Sequence, residues 1–240
     1  MLFTFSESCT NQAQVIRSLL TFENLISFTF DRQPPEYELI VDPKFECPMC
    51  CHYEPPIQIQ LAINGSSIPQ AIYQFCHELC HLLIGPNEKQ RAGWFEEVLC
   101  ELSSYYFMYE YNHLVADDLV NYFHDPYFQT IEFDLNDLLD PNAEIYRYLM
   151  ASKPDRERNR YIALFLLPIA QRFGTDFWRF FSTLSNVDPD LTFAKILESL
   201  STNARNTKFD MYSANSSSDI LSAISSRLST VSSAKNASNS

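Results

Sequence analysis

Apolar residues recur at helical spacing through Ile68, Ile72, Phe75, Leu79 and Leu82, the period of a helix with one buried stripe. Ahead of them, Ser67-Ile-Pro69-Gln70 has the S-x-x-Q form of a capping box; a proline is tolerated in the first turn, where its missing N–H is not needed. Gly85-Pro86 supplies a glycine C-cap and then a residue that cannot continue the helix. The pattern predicts a helix of about five turns starting near Ser67. A second stripe, Trp94, Val98, Leu102, Tyr105 and Tyr109, predicts another helix one loop later. Ile57, Ile59, Leu61 and Ile63 alternate with Gln58, Gln60 and Ala62, the period of a half-buried strand, and Asn64-Gly65 marks the turn at its end. Leu25 to Phe30 and Tyr37 to Val41 also read as strands, separated by Pro34-Pro35, while Asn11-Gln-Ala-Gln14 is placed to cap a short helix through Leu20. Asp190 to Leu200 reads as helix. Strands come first and helices follow, which predicts an α+β fold: a small N-terminal β-sheet followed by a mainly helical core.

The first of these helices carries His77-Glu78-Leu-Cys-His81, an HExxH motif inside a segment that otherwise reads as buried. Two imidazoles four residues apart project from one helix face, where both can reach a single Zn²⁺. The intervening Glu78 is then placed as a general base toward an attacking water. The alternative is a pair of hydrogen-bonded core histidines beside an apolar face. On the second helix, Glu97 and Glu101 lie next to or within the apolar stripe. Carboxylates on a core-facing side need a metal or a hydrogen-bonding partner. As ordinary charges at a helix edge they would need neither.

These residues resemble the gluzincin metallopeptidases, the thermolysin and aminopeptidase-N lineage, in which HExxH is followed by a second helix bearing a glutamate ligand. Trp94-Phe-Glu96-Glu97 looks like the W-x-x-E segment of the aminopeptidase-like branch. The resemblance makes Glu97, not Glu96, the third zinc ligand beside His77 and His81, and Glu101 the acid that orients a ligand histidine. Fifteen residues separate His81 from Glu97, a shorter interval than that family's usual one, as a shorter loop between the helices would give. Further on, Arg160-Tyr161 through Phe173-Gly174-Thr-Asp176-Phe is similar to the region where those enzymes place a tyrosine that helps stabilise the tetrahedral intermediate. Tyr161 takes that place here, although the adjacent lysine-glycine pair is replaced by Ala163-Leu164; packing is the competing role. A G-A-M-E-N type segment is absent, so aminopeptidase specificity has no support.

Composition narrows the alternatives. A chain of 240 residues with 46% hydrophobic and 14% aromatic residues can form one sizeable core. Four glycines and the absence of G-x-x-x-x-G-K-[ST] and G-x-G-x-x-G disfavour phosphate-binding loops. With 17 Lys and Arg against 30 Asp and Glu, the formal charge of −13 repels nucleic acid and acidic membranes. Met1-Leu-Phe-Thr-Phe-Ser-Glu lacks the features of a signal peptide, and the longest apolar run, Ile162 to Ala170, is too short to span a bilayer. A cytoplasmic, soluble protein is the expectation.

Seven cysteines, an odd number in a chain without an export signal, are expected as reduced thiols. Cys76, Cys80 and Cys100 read as small apolar core residues. Cys47-Pro-Met-Cys50-Cys51-His52 has ligands of zinc-binding type, but crowded into six residues without a second C-x-x-C; a loop is the expectation, a metal or redox site the alternative. Residues 1–200 are expected to form a zincin-like catalytic domain, and 201–240, rich in Ser and Asn, a largely disordered tail.

Together these readings predict a zinc-dependent metallohydrolase, a peptidase acting on a peptide or protein substrate. His77, His81 and Glu97 would hold Zn²⁺, Glu78 would act as general base, Tyr161 would assist and Glu101 would stand behind a histidine. The alternative is a catalytically silent zincin-like domain serving as a protein-interaction module. Neither nucleic acid nor membrane is expected as a partner, and oligomeric state is left open.

Overall fold

The computed structural model describes residues 1–51, 55–84, 93–115, 122–123, 125–151, 155–182, 184, 192–206 and 218–228. It is a mixed α/β protein, mostly helical, with one small sheet. The chain divides into two compact units, one of Met1–Pro86 with Leu99–Gln129 and one of Asn87–Val98 with Thr130–Ser240.

In the first unit, strands β1 (Leu2–Phe5), β2 (Glu38–Val41), β3 (Met49–Cys51) and β4 (Gln58–Leu61) form a sheet of order β1-β2-β4-β3. β1, β2 and β4 are parallel, and β3 runs antiparallel to β4 at the edge. Parallel neighbours require a long crossover, and helix α1 (Gln12–Phe30) supplies the one between β1 and β2. Leu39 and Val41 pair with Ile59 and Leu61, and all four are fully buried. Their neighbours Glu38, Ile40, Gln58 and Gln60 are half-buried, so the alternation seen in the sequence marks the sheet's covered face.

Two strand expectations hold and one fails. Leu25 to Phe30 is the last third of α1. Ile26, Phe28 and Phe30 alternate with Ser27 and Thr29 as in a strand, but Val15, Leu19, Phe22, Ile26 and Phe30 form one buried helical stripe. Burying that stripe outweighs the local β preference and leaves Phe28 78% exposed. β1 and β3 were not anticipated. Cys50 and Cys51 therefore stand on an edge strand opposite Ile59 and Gln58, where a loop was expected. After β4, the Asn64-Gly65 turn is tight: Gly65 has φ +78° and a Cβ there would lie 2.0 Å from the Thr10 carbonyl oxygen, so only glycine fits.

Helix α2 (Ile68–Ile84) follows and packs on α1, β4 and β3. The Gln70 N–H donates to Ser67 Oγ at 3.3 Å, the bond expected of the capping box. The Gln74 side chain accepts from Ala62 N–H at 2.9 Å, tying the helix to the chain just beyond β4. The proposed Gly85-Pro86 stop lies outside the described residues. Helix α3 (Gly93–Glu110) contributes its part from Leu99 onward to this unit. A short helix, α4 (Asn112–Val115), and a turn of 3₁₀ helix at Pro126–Phe128 come after it.

The second unit is helical: a 3₁₀ segment at Leu135–Leu139, then α5 (Glu144–Ala151), α6 (Arg156–Phe173), α7 (Thr175–Phe181) and α8 (Phe193–Asn206). Asp155 caps α6 by accepting from Arg158 N–H, and Gly174, at φ 53°, turns the chain from α6 into α7 as the sequence suggested. The beginning of the helix expected at Asp190 lies outside the described residues. In the segment read as a tail, residues 201–206 continue α8 and 218–228 form a further helix. Its Ile220, Ile224 and Leu228 are buried, and the Arg227 Nε–H donates to the Phe165 carbonyl at 2.7 Å. No helix among the described residues is long and apolar enough to cross a membrane.

Candidate metal centre

His77, Glu78 and His81 lie in the C-terminal half of α2, His81 in its last turn, with the imidazoles half-buried and Glu78 4% exposed. The four-residue spacing brings the two rings to a centroid separation of 5.2 Å at 64°. Opposite them runs α3, and two fully buried serines fix its approach. Ser104 Oγ–H donates to the Tyr73 carbonyl at 2.8 Å and Ser103 Oγ–H to the Cys76 carbonyl at 3.1 Å. Small side chains that bond to the facing backbone let two helices pack closely without stranding a polar group. Later residues of α3 meet earlier residues of α2, so the helices run antiparallel, and Cys100 and Glu101 fall beside the HExxH turn.

Glu101 is buried, with Oε2 3.6 Å from His77 Nδ1, while the Tyr73 hydroxyl donates to Oε1. A buried carboxylate is tolerated when donors face both its oxygens. An imidazole whose Nδ1 faces a carboxylate binds a metal through Nε2. Tyr73 sits in an aromatic cluster, edge-on to Tyr105 at 6.0 Å and to Phe128 at 5.2 Å, which holds its hydroxyl in place.

Among the described residues, the potential metal ligands that come together are His77, His81 and Cys100, with one donor atom of each lying within 4.8 Å of the others. Two imidazoles and a thiol form a set that suits zinc. Cys47, Cys50 and Cys51 do not form such a group among the described residues, and His52 lies outside them. Cys51 is nevertheless close to the motif. Burial, and then the negative charge of Glu78, push its thiol up.

Glu97 is half-buried one turn before Glu101 on α3, in the part of the helix that belongs to the second unit. Tyr161 also belongs to that unit, in the second turn of α6, with its ring edge-on to Phe133 at 5.5 Å. Burial pushes its hydroxyl up, and the charges of Glu132 and Asp134 add to the shift. Sequence reasoning missed Tyr73 and Cys100. Tyr73 had a usable signal, standing four residues before His77 on the same helix face. Cys100 had none, since a thiol in an apolar stripe reads as packing.

In comparisons with known proteins, the chain matches no family model, no curated protein and no solved structure.

Proposed function

We propose that the chain is a zinc-dependent metallohydrolase, a peptidase with a compact zincin-like core. The observation that carries this reading is the HExxH turn itself: two adjacent imidazoles on a buried helix, one of them backed by the carboxylate of Glu101. His77 and His81 hold the ion, with one further ligand from α3. The resemblance to gluzincins names Glu97 for that place.

A bound zinc ion supplies Lewis acidity toward a carbonyl oxygen and toward water. Glu78, next to His77 in the chain, takes the proton of the attacking water and passes it to the leaving amine. Its carboxylate is buried beside the two histidines. Glu101 holds His77 in one orientation and tautomer, and Tyr73 holds Glu101. Tyr161 is the candidate donor to the developing oxyanion. The substrate is a peptide or protein, and the net charge of −13 favours basic over acidic segments and disfavours nucleic acid. The same charge and composition fit a soluble, cytoplasmic protein.

Metal analysis of the purified chain, together with digestion of a peptide library by wild type and Glu78→Gln, tests the reading. The expected result is one zinc per chain in both and cleavage by wild type alone. Zinc binding without cleavage by wild type would leave a silent interaction module as the function.

A further inference from the structure

We infer that the ligand α3 contributes to the metal centre is the thiolate of Cys100. The inference rests on the metal-binding part of the function proposed above and is independent of whether the site cleaves peptides.

Cys100 is fully buried, and its Sγ lies with one nitrogen each of His77 and His81 in a group spanning no more than 4.8 Å. Ligand bonds of about 2.0 Å to nitrogen and 2.3 Å to sulfur, at tetrahedral angles, place such donors about 3.3–3.6 Å apart. The observed limit of 4.8 Å exceeds that spacing by no more than about 1.2–1.5 Å, which side-chain torsions can supply. The thiol's position is determined by more than its own packing. Ser103 and Ser104 lock α3 against the carbonyls of Cys76 and Tyr73, and Glu101, the next residue in the chain, faces His77 Nδ1. One helix turn thus presents a thiol to both imidazoles and a carboxylate to Nδ1 of one of them.

A residue serving only as core filler has no need to lie within reach of both imidazoles. Thiolate is also a favoured ligand for zinc. On binding, the S–H bond gives its proton to solvent and the sulfur takes a coordination position. Three protein ligands of the His₂Cys type leave a fourth position open, so this assignment is compatible with hydrolysis. All three ligands, Glu78 and Glu101 then belong to the first unit.

Cobalt loading of the full-length apoprotein tests the assignment, because a thiolate on Co²⁺ gives a sulfur-to-metal charge-transfer band in the near ultraviolet besides the visible ligand-field bands. Wild type should show both, and Cys100→Ser should lose the charge-transfer band. Cys47→Ser/Cys50→Ser/Cys51→Ser should keep it. Visible bands without the charge-transfer band in wild type, or a band that persists in Cys100→Ser, would overturn the Cys100 ligand and leave the histidine site standing. No cobalt uptake by wild type would overturn both. Should Cys100→Ser fail to fold, X-ray absorption of the zinc-loaded wild type gives the answer without mutation: one sulfur in the shell is expected, and a shell of nitrogen and oxygen alone ends the proposal.

Discussion

The two ends of α3 are buried alike but differ in what surrounds them. From Trp94 to Val98 the helix belongs to an aromatic core. The Phe95 ring lies 4.9 Å from Phe193 and 5.6 Å from Phe181, and Trp94 donates its indole N–H to Met150 Sδ. From Cys100 to Ser104 four of five positions, all but Leu102, are polar or thiol-bearing and buried against α2. An aromatic layer is stabilised by area and tolerates any side chain of the right shape. A polar layer is stabilised only if every donor and acceptor is matched, so it is costly to keep unless it does something. The contrast sets a mostly polar layer in the second segment of α3 against a mostly aromatic one in the first, where Glu96 is the buried charge.

The largest effect that would break this contrast is a loss of activity without loss of structure. Glu78→Gln removes the base and keeps the shape, so cleavage should fall by about 10²–10⁴-fold with zinc content and thermal stability near wild type. Turnover by the variant within a few-fold of wild type would remove Glu78 from the mechanism.

At the aromatic end the expectation is reversed. Phe95→Ala should destabilise by about 3–5 kcal/mol, because Phe95 is fully buried among rings that cannot collapse into the space it leaves. Denaturant unfolding measures this. Zinc affinity of the fraction that remains folded should be unchanged, and a large drop in that affinity would mean that the two ends of α3 do not divide their work.

Glu101→Gln should weaken zinc binding by about 10–100-fold without abolishing it, since the neutral amide orients His77 less strongly than the carboxylate. Competition with a chelator gives the number. Wild-type affinity would return Glu101 to the role of a structural acid bonded to Tyr73.

How much of this could be read from the chain depended on whether local pattern and tertiary packing agreed. They agree along α2, where the Ser67 cap, the stripe and the histidines all follow one period, and along β2 and β4, whose alternation marks the sheet face. They conflict at Leu25 to Phe30, where a strand-like alternation sits at the end of a longer helical stripe. Composition misleads in 218–228: serine and asparagine suggest a disordered tail, yet Ile220, Ile224 and Leu228 at four-residue spacing are buried. β3, of three residues, is too short to carry a period of its own, and both β3 and β1 are edge strands held by a single neighbour. At the site, the grouping of His77, Glu78 and His81 on one helix was legible from spacing, and the adjacency of Glu101 to a histidine from the resemblance. Cys100 was not, because only the register set by Ser103 and Ser104 distinguishes it from Cys76 and Cys80.

The smallest effect probes the outermost member of the polar layer. Tyr73→Phe keeps the ring against Tyr105 and Phe128 and removes only the hydroxyl that faces Glu101 Oε1. A single hydrogen bond is worth about 0.5–1.5 kcal/mol net, so zinc affinity should fall by about two- to tenfold, less than in Glu101→Gln. With the Tyr73 hydroxyl bonded to Glu101, the two substitutions should not add: Tyr73→Phe made in the Glu101→Gln background should change affinity little further. Chelator competition on the two single variants and the double variant closes this cycle. Full additivity would mean that Tyr73 acts on the site by a route other than Glu101, and the chain of contacts from the aromatic cluster to His77 would have to be redrawn.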